Sequence, residues 1–197
     1  MHVYIVFAHP TRQSFTGQVL AAFQQGLQDS GHSVDIGDLY QMNFQSDMDA
    51  SQFLRETTLN AAAPVPEDVR LEQLKINGAD ALAFIYPVWW SDCPAKLKGW
   101  FDRVLTYGYA YFYDDDAERG TKIDIQKALV LCPAGHTVEH LEEIGIAESM
   151  RRVMLQDRLL GVGVRSARME ILGGLVGSDE AHRKSLLDKA YQLGREF

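Results

Sequence analysis

His2-Val3-Tyr4-Ile5-Val6-Phe7-Ala8, running into His9-Pro10-Thr11-Arg12-Gln13-Ser14-Phe15-Thr16, is the stretch on which the fold turns. Nearly every position in residues 2–8 is apolar or aromatic and half are β-formers, so the run reads as a strand buried on both faces. Ser14 stands where a helix N-cap belongs. After it Phe15, Val19, Ala22, Phe23 and Leu27 recur at helical spacing, and Gly31 closes the helix. Residues 34–39 then give a second strand, with Asp38 near its end.

The same alternation continues outward. Residues 40–65 form a long connection ending in Ala61-Ala62-Ala63-Pro64-Val65-Pro66, with one short helix expected around 52–59. A helix over 67–77 carries Leu71, Leu74 and Ile76 and stops at Gly78; residues 79–86 make a third buried strand, ended by Pro87. Pro94 suits a helix start, where its missing N–H costs nothing. That helix puts Leu97, Trp100, Phe101, Val104 and Leu105 on roughly one face. An aromatic loop follows, Tyr107, Tyr109, Tyr111, Phe112 and Tyr113, then Asp114-Asp115-Asp116. Residues 128–132 are a fourth strand, 138–160 a helical stretch and 168–172 a fifth strand. Ser178 or Asp179 caps a last helix carrying Ala181, Leu186, Leu187, Ala190 and Leu193.

Five strands alternating with five helices predict a three-layer α/β fold. Right-handed crossovers place helices on both faces of a parallel sheet. The expected strand order is 2-1-3-4-5, the flavodoxin-like arrangement, in one domain over residues 1–197. Ligands of such sheets bind outside the carboxyl ends of the strands, near the switch point between strands 1 and 3.

Composition narrows the function. With 27 acidic against 19 basic residues the formal net charge is -8, which argues against nucleic acid or an anionic membrane as partner. The opening apolar run is too short to span a bilayer and has no basic flank, so no signal peptide is expected. Cys93 and Cys132 lack CxxC spacing, and a reducing cytoplasm without a disulfide is the expectation. His2, His9, His32, His136, His140 and His182 show no metal-ligand spacing, and no GxSxG is present. The acidic run 114–116 lacks an EF-hand pattern and reads as a solvated loop.

Three loops should converge at the carboxyl edge. Residues 9–16 bring hydroxyls, Arg12 and a helix N-terminus to one place, a setting for phosphate; they match neither GxGxxG nor GxxxxGK[ST]. The plainer reading leaves Ser14 as a cap and Arg12 as a solvated charge. Residues 87–94, Pro87-Val88-Trp89-Trp90-Ser91-Asp92-Cys93-Pro94, put two tryptophans at a strand end. A planar isoalloxazine would gain from their N–H groups and walls, although tryptophan is more often core. Trp100 reads as core. Residues 132–137, Cys132-Pro133-Ala134-Gly135-His136-Thr137, offer small residues where backbone can approach a ligand. So aromatic a loop as 107–113 should pack on a substrate or another subunit.

At this point the chain resembles the NAD(P)H:quinone oxidoreductases of the flavodoxin-like superfamily, the DT-diaphorase group and its bacterial relatives. The matching segments are the loop from His9 to Phe15 and Asp38-Leu39-Tyr40-Gln41-Met42-Asn43-Phe44. Most specific is Tyr86-Pro87-Val88-Trp89-Trp90 followed by Pro94-Ala95-Lys96-Leu97-Lys98-Gly99-Trp100-Phe101-Asp102-Arg103-Val104, continued by Gly108-Tyr109-Ala110-Tyr111-Phe112-Tyr113. The match covers the first two thirds well and the last third loosely. The resemblance implies that His9, Ser14, Phe15 and Thr16 hold the flavin phosphates and ribityl arm. Pro87, Val88, Trp89 and Trp90 would line the isoalloxazine edge, with Pro133, Ala134 and Gly135 at the opposite edge. Trp90, Tyr111 and Tyr113 would wall the acceptor pocket, the tyrosines reaching into a partner subunit, because relatives are homodimers with shared active sites.

The resemblance further implies FAD, with FMN as the alternative, NAD(P)H as donor and a quinone or similar small acceptor reduced in a ping-pong cycle. Where relatives often carry Thr-Thr-Gly-Gly, this chain has Pro133-Ala134-Gly135, and His140 is its candidate for proton handling. Two other classes fit the same fold: an ancillary regulatory subunit of a potassium-efflux system, and a flavodoxin-like one-electron carrier.

Overall fold

The structure, a computed structural model, describes residues 1–114 and 116–197, so Asp115 of the acidic run lies outside the described residues. The strands are β1 (His2–Phe7), β2 (Ser33–Asp38), β3 (Ala81–Ile85), β4 (Phe112–Tyr113), β5 (Arg119–Gly120), β6 (Lys127–Pro133) and β7 (Ala167–Leu172). The α-helices are α1 (Phe15–Asp29), α2 (Ala50–Thr57), α3 (Glu67–Asn77), α4 (Ala95–Val104), α5 (Val138–Glu143), α6 (Ile146–Arg151) and α7 (Glu180–Arg195). A π-helical turn, Arg152–Asp157, continues α6, and a 3-10 turn, Leu160–Val162, follows. The main sheet is parallel, in order β2-β1-β3-β6-β7. Counting its own strands alone, that is the expected 2-1-3-4-5, a flavodoxin-like α/β fold. β4, at the end of the aromatic loop, and β5 form a separate antiparallel pair, an element beyond the five expected strands.

The two-residue period of β1 sorts its side chains onto the two faces. Tyr4, Val6 and Ala8 join one core with Phe84, Leu97, Trp100, Phe101 and Val104. Val3, Ile5 and Phe7 join the other with Val19, Leu20, Phe23, Leu27, Ala190 and Leu193. On the second face α1 and α7 cross with almost nothing between them. A Cβ on Gly26 would stand 2.2 Å from the Tyr191 carbonyl oxygen, and one on Gly194 would stand 2.3 Å from that of Phe23. On the first face the buried Glu72 carboxylate accepts from the Tyr4 hydroxyl, from Trp100 Nε1 at 2.7 Å and from Lys75 Nζ at 2.7 Å. That bond confirms Trp100 as a core residue with its indole N–H satisfied. Gly99 has a similar reason to be glycine: a Cβ there would sit 2.2 Å from the Ser46 carbonyl oxygen.

Several expectations change. The helical stretch 138–160 is broken at Gly145, whose φ of 75° lies in the left-handed region, and again by the π turn. Leu71 and Leu74 are exposed; the face of α3 turned inward carries Val69, Glu72 and Ile76 instead. Asp179, not Ser178, caps α7, accepting from the His182 N–H. Pro94 sits at the N-cap of α4, one position before its first turn. The aromatic loop packs partly on its own chain: Tyr109 is buried and Tyr107, Tyr111 and Tyr113 stack edge to face in sequence.

Candidate active site

The switch point between β1 and β3 opens the carboxyl edge to the three expected loops. After β1, the Ser14 hydroxyl accepts from the Gly17 N–H and donates to the Thr11 carbonyl. The first-turn N–H groups of Phe15 and Thr16 have no acceptor among the described residues. A helix N-terminus with open N–H groups and no acidic side chain in its first turn attracts phosphate. Arg12 does not join this cluster freely: it is paired to Asp38 at 2.7 Å. It is neither a purely solvated charge nor an uncommitted phosphate ligand. Arg183 brings a cation from α7, its guanidinium 5.7 Å from the Phe15 ring centre. Thr16 is buried, Ser14 and Phe15 half-buried. His9 turns Nδ1 back onto the Thr11 carbonyl and rests its ring 6.1 Å from Trp89, which joins the first loop to the second.

After β3 the chain makes a four-residue turn. Trp89 and Asp92 exchange N–H to carbonyl bonds of 3.0 and 3.2 Å. The central residues Trp90 and Ser91 have φ values of 50° and 65°. A turn of this hand prefers Asn-Gly, and a non-glycine residue held there costs on the order of 1–3 kcal/mol. The Trp90 side chain is fully exposed, and the N–H groups of Trp90 and Ser91 have no acceptor among the described residues. Val88 is fastened to the third loop by its N–H on the Pro133 carbonyl at 2.8 Å.

After β6 the buried Pro133 and Ala134 lead to Gly135, where a Cβ would meet only Val176 Cγ2, at 3.0 Å. The second and third loops enclose a cavity of about 400 Å3 lined by Val88, Trp90, Ser91, Ala134, Gly135, His136 and Leu141. A second hollow of about 450 Å3 runs along His9, Pro10, Thr11, Arg12, Asp38, Tyr40 and Gln41. Open N–H groups, a glycine and apolar walls fit a flat heteroaromatic ring, and the α1 N-terminus fits its phosphate. The residues present therefore suit a flavin.

His140 lies exposed on α5, outside the cavity lining, with its ring centre 5.0 Å from that of His136. Tyr111 is half-buried under the Arg119 guanidinium and Tyr113 is exposed. No group of three or more metal-binding side chains exists among the described residues. Both cysteines are free and buried. Burial, joined by the Asp92 charge, pushes the Cys93 thiol up to about 12.

Two residues escaped the sequence reading. Asp92 and Arg158 form a two-pronged pair, Nη1 to Oδ1 and Nη2 to Oδ2, each 3.0 Å. Burial opposes the Asp92 charge, but the Arg158 hydrogen bonds, the Cys93 N–H and the Arg158 charge together hold its carboxyl below the usual range. Sixty-odd residues separate the partners, so no local spacing announced them.

A model of the flavodoxin-like fold family matches residues 1–193. The chain belongs to that family. Among its flavodoxin-like relatives is an NAD(P)H:quinone oxidoreductase from Methanothermobacter marburgensis, 62% identical, with a TM-score of 0.94 over 99% of this chain and 98% of that one. The ribosyldihydronicotinamide dehydrogenase (quinone) of Mus musculus is 32% identical over 94% of this chain and 87% of its own length. An uncharacterised NAD(P)H oxidoreductase of Haemophilus influenzae is 29% identical over 98% and 93%.

Proposed function

We propose that the chain is a flavin-dependent NAD(P)H oxidoreductase that reduces quinones or related small acceptors. The observation that carries this reading is the cavity between the 87–93 and 133–138 loops, walled by apolar and aromatic groups and edged with open N–H groups. The 62% identity to an NAD(P)H:quinone oxidoreductase supports the donor and acceptor classes. When bound, the flavin supplies hydride acceptance from the nicotinamide and its return to the quinone.

The chain's own residues do the rest. The Phe15 and Thr16 N–H groups, with the Ser14 and Thr16 hydroxyls and His9 beside them, hold phosphate and ribityl oxygens. Pro87, Val88, Trp89 and Trp90 line one ring edge; Pro133, Ala134 and Gly135 line the other. Trp90 excludes water from the acceptor site, with Tyr111 and Tyr113 closing it from a partner subunit in a homodimer. Positioning supplies most of the catalytic effect, since among the described residues lining the cavity His136 alone carries a titratable ring. Proton handling falls to the pair of His136, on the cavity wall, and His140 behind it.

FAD is preferred to FMN because Arg183 adds a second positive group at the α1 N-terminus, which suits a diphosphate better than a monophosphate. The reading takes residues 1–197 as one flavin-binding unit. No helix among the described residues is long and apolar enough to cross a membrane. Buried free thiols agree with the proposed cytoplasmic setting.

The test is a visible spectrum of the purified protein, then anaerobic NADPH, then menadione, with chromatography of the released cofactor. A yellow protein that bleaches and recovers supports the reading, and parallel double-reciprocal lines support a ping-pong cycle. A protein colourless after reconstitution with FAD and with FMN would sink it.

A further inference from the structure

The turn Trp89 to Asp92 carries two adjacent non-glycine residues in left-handed conformations, Trp90 and Ser91. Such a turn persists only where its surroundings over-determine it. Packing does little of this. The Trp90 indole is fully exposed. Behind the turn, a cavity of about 100 Å3 separates Ser91 and Asp92 from Ile146, Ser149, Met150 and Val153.

Beyond the two backbone bonds between Trp89 and Asp92, the constraint comes from one side chain. Arg158 is buried, its guanidinium lies 5.3 Å from the Phe101 ring centre, and Nη1 lies 3.6 Å from Cys93 Sγ. Both of its prongs are on the Asp92 carboxylate, whose Oδ1 also accepts from the Cys93 N–H at 2.7 Å. The register that aims Arg158 here is set by the π turn. Its N–H donates to the Val153 carbonyl five residues back, at 3.2 Å. The extra residue turns the chain by about 100° relative to an α-helical continuation.

We infer that Arg158 is a positioning residue, whose two-pronged grip on Asp92 holds the Trp89–Asp92 turn in the form that presents the Trp90 and Ser91 N–H groups and the Trp90 indole to the cavity. Its consequence for turnover rests on the flavin-site reading above; its consequence for the turn does not. A planar fork is required, because a lysine supplies charge without the second prong.

The experiment compares the wild type with Arg158→Lys, Asp92→Asn, Ser91→Gly and the double variant Ser91→Gly/Arg158→Lys. Amide hydrogen exchange at Trp89, Asp92 and Cys93 is read by NMR on flavin-free protein, alongside the thermal midpoint and menadione kinetics of the reconstituted enzyme. In Arg158→Lys and Asp92→Asn, exchange at those three amides accelerates roughly tenfold, about 1.4 kcal/mol by the usual conversion, while amides of α4 keep their protection. KM for menadione rises by a similar factor and kcat changes much less. Glycine takes up the left-handed conformation without strain, so Ser91→Gly restores both readouts in the Arg158→Lys background. A fall in thermal midpoint with unchanged exchange and unchanged KM overturns the inference, as does an undiminished defect in the double variant. Should the wild type bind no flavin, the site reading fails and the exchange data still decide the role of Arg158.

Discussion

Charge and burial at single residues set the chemistry of the 87–93 loop. Asp92 has a depressed carboxyl pKa, held down against burial by Arg158 and the Cys93 N–H. A group depressed in the folded state contributes stability above its unfolded pKa, about 3.9 for aspartate, and loses it as pH falls through the folded value. The stability difference between wild type and Asp92→Asn should thus be constant from neutrality down to about pH 5 and shrink below pH 4, as denaturant midpoints across pH would register. Cys93 sits with its thiol pushed up to about 12, and burial also raises Cys132. The thiolate is the reactive form. Ellman's reagent at pH 8 should label neither cysteine in the native protein and both in guanidinium; rapid native labelling would contradict the burial described here.

Among the elements, α1 and α7 show packing overruling propensity. Alanine is favoured over glycine by about 1 kcal/mol in a helix interior, so Gly26→Ala looks stabilising on sequence alone. The new Cβ would lie 2.2 Å from the Tyr191 carbonyl and 2.9 Å from the Arg195 nitrogen, both backbone atoms that cannot swing aside. Separating the helices costs more, with overpacking typically 1–3 kcal/mol. The expected result is a net loss of stability of about 1–2 kcal/mol by urea unfolding, and a more stable variant would show that the crossing can relax. The same scale explains the misplaced face of α3. Leu71 and Leu74 look like core by type, yet Glu72 turns inward because Tyr4, Trp100 and Lys75 satisfy its carboxylate. Helical periodicity locates an apolar stripe only when the buried residue is apolar, and a satisfied buried acid defeats it.

For the whole molecule, the largest prediction concerns assembly. Trp90 is exposed on the cavity lining, Tyr113 is exposed on β4, and Phe53 and Leu54 are exposed on α2. The proposed homodimer would cover aromatic surface of this kind. Sedimentation should therefore give a dimer, and Tyr113→Ala should raise KM for menadione several-fold, roughly 1 kcal/mol, with the flavin spectrum unchanged. A monomer with full activity would remove the shared-site element and leave the cavity to act alone.

Much of this was legible in order along the chain. The apolar run 2–8, the N-cap at Ser14, the Pro87 stop and the Gly78 stop fall within a residue or two of where the structure puts them. These signals are local: a buried parallel strand has few compositions, and a helix end has few caps. The parallel sheet with helices on both faces followed from the handedness of βαβ crossovers, five strands with five helices suited the order 2-1-3-4-5, and the position of the three loops followed from that order. What only tertiary structure decided are the relations between distant residues. The Asp92–Arg158 grip, the Arg12–Asp38 pair, the bonds of the inward Glu72 to Tyr4 and Trp100, and the glycine contact between α1 and α7 each join segments that sequence spacing cannot relate. The left-handed turn at Trp90 and Ser91 belongs with them, because neither residue type asks for that conformation and only the surrounding bonds impose it. Local chemistry chose the elements; long-range hydrogen bonding and close packing chose the shape of the site.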